Sequence, residues 1–103
     1  MPGVWDPLSA LLAQRAGFHT VFVSGFAVAG TLLGEPDIGI VDQANMADVA
    51  RRVCAAVPNM CVVVDADTGY GDERDVQITT ELWESAGASG MFLEDQVWPK
   101  KCG

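Results

Sequence analysis

The chain is poor in basic residues, and this shortage argues against two classes of partner. Among 103 residues, six lysines and arginines stand against 14 aspartates and glutamates, which gives a formal net charge of -8 at pH 7. Nucleic-acid binding depends on clustered Lys and Arg that neutralise phosphates, and anionic membrane surfaces likewise attract basic segments. We therefore predict no nucleic-acid partner and no membrane partner.

Long apolar runs and ligand-spaced cysteines are also missing. The longest apolar stretch, residues 21–33, is interrupted by Ser24 and Gly30 and is too short to span a bilayer. No basic leader follows Met1. One histidine and three cysteines, none in a CxxC spacing, argue against a zinc site and against a disulfide framework. Reduced thiols in a cytoplasmic protein are the simplest interpretation.

What the chain does contain is a repeated unit: a short apolar run, a polar turn, a helical pattern and a glycine. The apolar runs predict four strands, at residues 4–5, 20–23, 60–64 and 90–93. Helices are predicted to begin at Asp6, at Asp42 or Gln43, and at Asp75, with a possible short helix between residues 24 and 39. Continuous apolar strands separated by helices predict an α/β fold with a parallel sheet buried on both faces.

Polar residues follow every predicted strand, and their distribution bears on the architecture. Asp6 and Ser9 follow the first strand, Ser24 the second, Asp65 the third and Glu94 the fourth. The carboxyl ends of parallel strands share one edge, where ligands bind. An open doubly wound sheet would concentrate such groups at one switch point, so their presence after every strand favours the other candidate, a closed barrel.

Asp65 and Asp67 form a DxD pattern directly after the third strand. In an extended segment, residues two apart face the same side, and two adjacent carboxylates repel unless a cation or a proton lies between them. Oxygen ligands suit a hard dication, so with Glu94 one strand onward and Asp37 on a preceding loop we predict a Mg²⁺ or Mn²⁺ site. The alternative is that one aspartate only caps a turn in a glycine-rich loop.

Two lysines precede the last cysteine of the chain, in the order Lys100, Lys101, Cys102. Neighbouring ammonium groups favour the thiolate form of a cysteine, and they would also attract an anionic substrate. We therefore name Cys102 and Lys100 as candidate catalytic residues. The alternative is a solvated lysine-rich loop with an inert thiol.

Six segments of the chain, taken together and in this order, resemble the isocitrate lyase and phosphoenolpyruvate mutase superfamily. They are residues 2–10 (PGVWDPLSA), 23–26 (VSGF), 34–39 (GEPDIG), 64–71 (VDADTGYG), 93–96 (LEDQ) and 100–103 (KKCG). The last segment is the most specific, because in the family it continues into a histidine. The resemblance extends from one end of the chain to the other.

The resemblance implies a (β/α)₈ barrel, usually in a homotetramer, that acts on a small anionic carboxylate. It implies that Asp65 and Asp67 hold Mg²⁺ directly and that Asp37 and Glu94 reach the ion through water. It also implies that Cys102 is a general acid on a loop that closes over the substrate. The implied substrate contacts are Ser24, Gly25 and Phe26, through the hydroxyl and backbone amides, together with Trp5 and Gly103.

A complete barrel of this type has about 250 residues. We therefore expect residues 1–103 to be the amino-terminal part of one, with about four strands and three helices, truncated at both ends. An isolated half-barrel would expose a sheet edge and apolar faces, so we expect this portion to be inactive alone.

The cysteine motif resembles that of the methylisocitrate lyase-like branch of the superfamily. It favours a lyase that cleaves a carbon–carbon bond of a 2-hydroxy di- or tricarboxylate, similar to methylisocitrate or dimethylmalate, through a stabilised enolate. Two departures leave the substrate open: Phe22 stands where isocitrate and methylisocitrate lyases commonly have tyrosine, and Phe26 where they tend to have a second glycine. The alternatives are a carboxyphosphonoenolpyruvate or phosphoenolpyruvate mutase, an oxaloacetate hydrolase, or a non-catalytic fragment.

Overall fold

The computed structural model describes residues 1–101, in which strands and helices alternate as the sequence predicts. The strands are β1 (Gly3–Val4), β2 (Thr20–Val23), β3 (Cys61–Asp65) and β4 (Gly90–Phe92). The helices are α1 (Pro7–Arg15), α2 (Gly25–Val28), α3 (Gln43–Ala56) and α4 (Glu73–Ala86), and a π-helical segment, Ala29–Leu33, continues α2. In this part of the chain, every helix is too short or too polar to cross a membrane.

The four strands are parallel and lie side by side in chain order, β1-β2-β3-β4. In a doubly wound sheet the strand order reverses, and later strands are added on the far side of the first. Here each new strand is added to the same edge, as in a (β/α) barrel. The strand order therefore decides between the two architectures that the sequence left open.

Aspartate side chains define where the three long helices begin. Asp6 and Asp42 accept hydrogen bonds from backbone amides in the first turns of α1 and α3, as predicted. The prediction that Asp75 begins the third long helix was wrong, because Asp72 takes that position. Asp72 accepts from the amides of Arg74 and Asp75, and the Asp75 carboxylate accepts from the amide of Asp72, so both acids form one capping box.

Helices cover one face of the sheet, which corrects the expectation that the strands are buried on both faces. Four strand valines are fully buried in the core that the helices cover: Val21, Val23, Val62 and Val64. Phe22, between two of them, points to the other face, where its ring meets Phe92 edge-on at a centroid distance of 5.2 Å. Strands added successively along one edge through right-handed crossovers carry their helices on the same side, and in a barrel the second face points inwards.

Thr79 in α4 ties two helices to the loop that follows β3. Its hydroxyl donates to the carbonyl oxygen of Gly69 at 3.0 Å and accepts from the side-chain amide of Gln43, in α3, at 2.7 Å. One turn further along α4, the indole N–H of Trp83 donates to the carbonyl oxygen of Asp65 at 3.2 Å. Helix α4 thus holds both ends of the segment from residue 65 to residue 69.

Thr79→Val should destabilise the protein, because the near-isosteric change leaves the buried carbonyl of Gly69 without its donor. We expect a loss of about 1–3 kcal/mol in the free energy of unfolding, measured by urea titration of the intact protein. Thr80→Val is the matched control: the Thr80 hydroxyl is exposed and donates only to the carbonyl of Val76 within its own helix, with a weak contact to the sulfur of Met91. Its cost should stay within about 0.5 kcal/mol, and equal losses in the two variants would contradict the role given to Thr79.

Candidate metal centre

Asp65 is the last residue of β3, and its side chain is held by two backbone amides, one from the first residue of α2 and one from the loop after β3. The amide of Gly25 donates to Oδ2 at 3.0 Å, and the amide of Asp67 donates to Oδ1 at 2.9 Å. Since the main chain of Asp65 is fixed by the sheet and by Trp83, neither the backbone nor the carboxylate is free to rotate. Asp65 is therefore an oriented oxygen donor.

Asp67 lies beyond the end of β3, and a turn rather than strand alternation brings it to Asp65. Its backbone is left-handed, with φ of 46°, so the reason given from the sequence, an extended segment with both side chains on one side, was wrong. The carbonyl oxygen of Asp67 accepts from the amide of Glu94 at 2.6 Å. This bond fastens the loop after β3 to the loop after β4, and it brings the Glu94 side chain into the same region.

Asp65, Asp67 and Glu94 offer carboxylate oxygens that all lie within 4.8 Å of one another. Asp65 is 8% exposed and Asp67 is 3% exposed. Burial raises the pKa of both aspartates above the usual range, against the lowering effect of the backbone amides on Asp65 and of the Lys100 ammonium on Asp67. A buried carboxylate group of this kind requires a compensating positive charge or a proton.

Lys100 supplies a positive charge at this place. Its ammonium nitrogen lies 2.5 Å from Oδ1 of Asp67, 2.9 Å from Oδ1 of Asp37 and 3.7 Å from Oε1 of Glu94, and its side chain is 1% exposed. Burial lowers the pKa of Lys100, but the hydrogen bonds to Asp67 and Asp37 outweigh it and raise the pKa above its usual range. The lysine is therefore a charged, buried counterion of the acidic cluster.

The residues present fit a hard divalent cation. All the donors are carboxylate oxygens, which Mg²⁺ and Mn²⁺ prefer, and a cationic atom already lies among them in the form of the Lys100 ammonium. Asp65, Asp67 and Glu94 would hold the ion. Asp37 reaches the cluster through its ion pair with Lys100.

Four of the five candidate substrate contacts lie within the described residues, and each has different hydrogen-bond partners or exposure. Ser24 caps α2, and its hydroxyl oxygen accepts from the amide of Ala27 at 3.3 Å. The amide of Gly25 is already bonded to Asp65, and the side chain of Phe26 is 64% exposed. The amide of Trp5 donates to the hydroxyl of Ser9, and within residues 1–101 no hydrogen bond or ion pair joins the indole ring of Trp5 to the acidic cluster. Cys102 and Gly103 lie outside the described residues.

Gln96 positions the Glu94 carboxylate, a role that was not predicted from the sequence. Its side-chain amide donates to Oε2 of Glu94, and its side-chain oxygen accepts from the amide of Lys101 at 3.1 Å. Gln96 thus links the Glu94 carboxylate to the segment that carries Lys100. The only signal in the sequence was the LEDQ segment itself, which shows the residue but not the direction of its side chain.

Gly25→Ala should weaken divalent-cation binding, because a methyl group there would lie 2.8 Å from Oδ2 of Asp65 and push that carboxylate out of its orientation. We expect a loss of at least about tenfold in Mn²⁺ affinity of the intact protein, measured by titration calorimetry. Gly30→Ala is the control, since a methyl group at Gly30 has no neighbouring atom within 4 Å. If both variants bind Mn²⁺ like the wild type, the Gly25 contact does not orient the site.

Comparison with known proteins places this segment among enzymes. It is 53% identical to the petal death protein of Dianthus caryophyllus and 50% identical to the chloroplastic carboxyvinyl-carboxyphosphonate phosphorylmutase of Arabidopsis thaliana, over 103 residues in each case. It is 43% identical over 102 residues to the 2-methylisocitrate lyase of Aeropyrum pernix. The alignments cover 99–100% of this chain but 30–32% of those proteins, so the chain spans about a third of their length.

Solved structures agree with the fold. A 2,3-dimethylmalate lyase superposes with a TM-score of 0.92 and 38% identity, covering 96% of this chain and 35% of the other. An oxaloacetate acetylhydrolase solved with its product oxalate superposes with a TM-score of 0.94 and 36% identity, covering 98% and 35%. The family model for phosphoenolpyruvate phosphomutase matches residues 1–102. The resemblance and the barrel-type fold predicted from the sequence are confirmed, and the chain belongs to the phosphoenolpyruvate mutase/isocitrate lyase superfamily.

Proposed function

We propose that the intact protein is a carbon–carbon lyase that depends on Mg²⁺ or Mn²⁺ and cleaves a 2-hydroxy di- or tricarboxylate into a 2-oxo acid and a smaller carboxylate. The observation that carries the proposal is the carboxylate group formed by the buried Asp65 and Asp67 and the partly exposed Glu94, at the carboxyl ends of β3 and β4. The chain covers about a third of its relatives, so the proposal concerns the whole protein. It includes a small anionic substrate, a homotetramer and a cytoplasmic location.

A divalent cation at these oxygens would supply positive charge next to the 2-hydroxyl oxygen of the substrate, which becomes negatively charged as it loses its proton and then forms the carbonyl of the 2-oxo acid. The chain's own residues prepare that place. Gly25 and Asp67 fix the direction of the Asp65 carboxylate through their amides. The Asp67–Glu94 backbone bond keeps the two loops together.

The substrate carboxylate would be held beside α2. Ser24 keeps its hydroxyl hydrogen available, because in its bond with Ala27 it is the oxygen that accepts. The amide of Gly25 acts on Asp65 rather than on the substrate, so we assign the carboxylate to the Ser24 hydroxyl and the Phe26 amide. An amide in the first turn of a helix has no intrahelical partner.

Cys102 is the proposed general acid. As the 2-hydroxyl group gives up its proton to water and becomes the carbonyl of the 2-oxo acid, the carbon–carbon bond breaks. The electron pair of that bond remains on the departing carboxylate fragment, and the thiol proton is transferred to that carbon. The lysines at positions 100 and 101 lie next to this thiol in the sequence and would stabilise the thiolate that results.

A second candidate is supported by the identities of the relatives. The 50% identical Arabidopsis protein is named a phosphorylmutase, and one of the superposed structures is an oxaloacetate acetylhydrolase. Both reactions involve small 2-oxo or enol acids, as the proposed lyase reaction does. The difference is the bond that changes: a phosphorylmutase moves a phosphorus group within its substrate, whereas a hydrolase breaks a bond with water as the second reactant.

A substrate panel separates these reactions. The intact protein with Mg²⁺ should turn over 2-hydroxy di- or tricarboxylates at a kcat/KM at least about 100-fold higher than that for oxaloacetate or phosphonopyruvate, a margin of about 2.7 kcal/mol in transition-state stabilisation. Release of a 2-oxo acid from the hydroxy acids is followed by a coupled dehydrogenase assay, and consumption of oxaloacetate and of phosphonopyruvate is followed by chromatography. Preference for oxaloacetate would replace the lyase by the hydrolase, and preference for phosphonopyruvate would replace it by the mutase.

Two variants should distinguish the role of the metal ligands from the role of the general acid. Asp67→Asn removes a charged ligand, so Mn²⁺ affinity should fall at least tenfold and turnover at least about 100-fold. Cys102→Ser should lose turnover to a similar extent while Mn²⁺ affinity is unchanged. Asp95→Asn is the control, since Asp95 is an exposed carboxylate beside Glu94 and should keep both properties. Wild-type turnover in either of the first two variants removes that residue from the mechanism.

A further inference from the structure

We propose that Lys100 is a tethered cation that holds the acidic cluster in its metal-free form, and that a divalent cation must expel the Lys100 ammonium in order to bind. The inference rests on the proposed function in one respect, namely that the cluster binds a divalent cation. It adds a competitor built into the chain and a link between metal uptake and the segment of residues 96–101.

The position of the ammonium makes the two cations mutually exclusive. Lys100 contacts Asp67 at 2.5 Å and approaches Glu94 at 3.7 Å, and these are two of the three carboxylates that could hold the metal. A Mg²⁺ ion lies about 2.0–2.1 Å from its oxygen ligands. A dication and an ammonium on the same oxygens would therefore be close like charges in a buried place, which is strongly unfavourable.

Competition of this kind lowers the apparent affinity for the metal. The metal-free protein exists mainly with Lys100 in the cluster, since two short ion pairs hold a side chain that is 1% exposed. For a ligand that binds only the form without the ammonium, the apparent dissociation constant is the intrinsic one divided by the fraction of protein in that form. Removing the ammonium should therefore tighten metal binding, although it also removes two salt bridges.

The same exchange would release the segment that precedes Cys102. Within residues 96–101, two side chains attach the segment to the cluster: Lys100, through Asp37 and Asp67, and Gln96, through Glu94. Each attachment includes a carboxylate, Asp67 or Glu94, that would bind the metal instead. Metal uptake would thus free residues 96–101 to move.

The first test compares Lys100→Met with Lys101→Met in the intact protein. Lys101 is the exposed neighbour of Lys100, so its variant removes the same charge without touching the cluster. Titration calorimetry with Mn²⁺, after chelator treatment, should give Lys100→Met an affinity at least about tenfold higher than wild type, and Lys101→Met an unchanged affinity. Equal or weaker binding by Lys100→Met overturns the inference while leaving the metal dependence intact. An absence of Mn²⁺ binding in the wild type would instead remove the proposed metal function.

The second test needs no variant, so a loss of folding in Lys100→Met cannot obscure the result. Lys100 and Lys101 are the two lysines of the chain, and acylation by an N-hydroxysuccinimide ester followed by peptide mass spectrometry reports on each. Without metal, Lys100 should be protected relative to Lys101. Saturating Mn²⁺ should raise the Lys100-to-Lys101 labelling ratio at least threefold, and a constant ratio in protein shown by calorimetry to bind Mn²⁺ would overturn the inference.

Discussion

Carboxylates held close together in a buried place repel one another, and much of this structure serves to keep such a group in position. The oxygens of Asp65, Asp67 and Glu94 lie within 4.8 Å of one another, and burial raises the pKa of the two aspartates. The arrangement is tolerable because a positive charge lies against it, supplied by Lys100. An ion pair in this setting does not have to stabilise the fold overall; in the proposed function it keeps charged the acids that a metal would bind.

The scaffold positions these acids through the backbone rather than through side-chain packing. Asp65 receives three constraints at once: the β3 strand, the indole of Trp83 on its carbonyl, and two amides on its carboxylate. The loop after Asp65 is then held by Thr79 at Gly69 and by the amide of Glu94 at Asp67. Hydrogen bonds of fixed length keep the donors oriented, as a cation site with few protein ligands needs.

Local patterns predicted the elements well, and errors arose where distant parts of the chain decide the outcome. The aspartate caps of α1 and α3 were predictable because capping is a local hydrogen-bond pattern. Asp72 and Asp75 fit the same pattern, and only the backbone geometry shows that the first caps while the second reciprocates. Strand burial differs from the prediction on the face that carries Phe22, since a continuous apolar run does not reveal whether helices or the interior of a barrel cover that face. For the site, the positions of the acids followed from the rule that strand ends share an edge, but the left-handed turn at Asp67 did not.

Lys100 shows why the charge balance of a site is hard to read from sequence. In the sequence Lys100 stands two positions before Cys102, and this spacing predicts that its charge acts on the thiol. In space its ammonium is paired with Asp37 and Asp67, the latter 33 positions away. A paired ammonium stabilises a nearby thiolate less than a free one, because its field is largely cancelled by the carboxylates. A dication that displaced Lys100 would therefore do more than fill the cluster. It would also release the ammonium that precedes Cys102 in the sequence from its carboxylate partners, so that in the proposed mechanism this charge becomes available to stabilise a thiolate when the dication is bound.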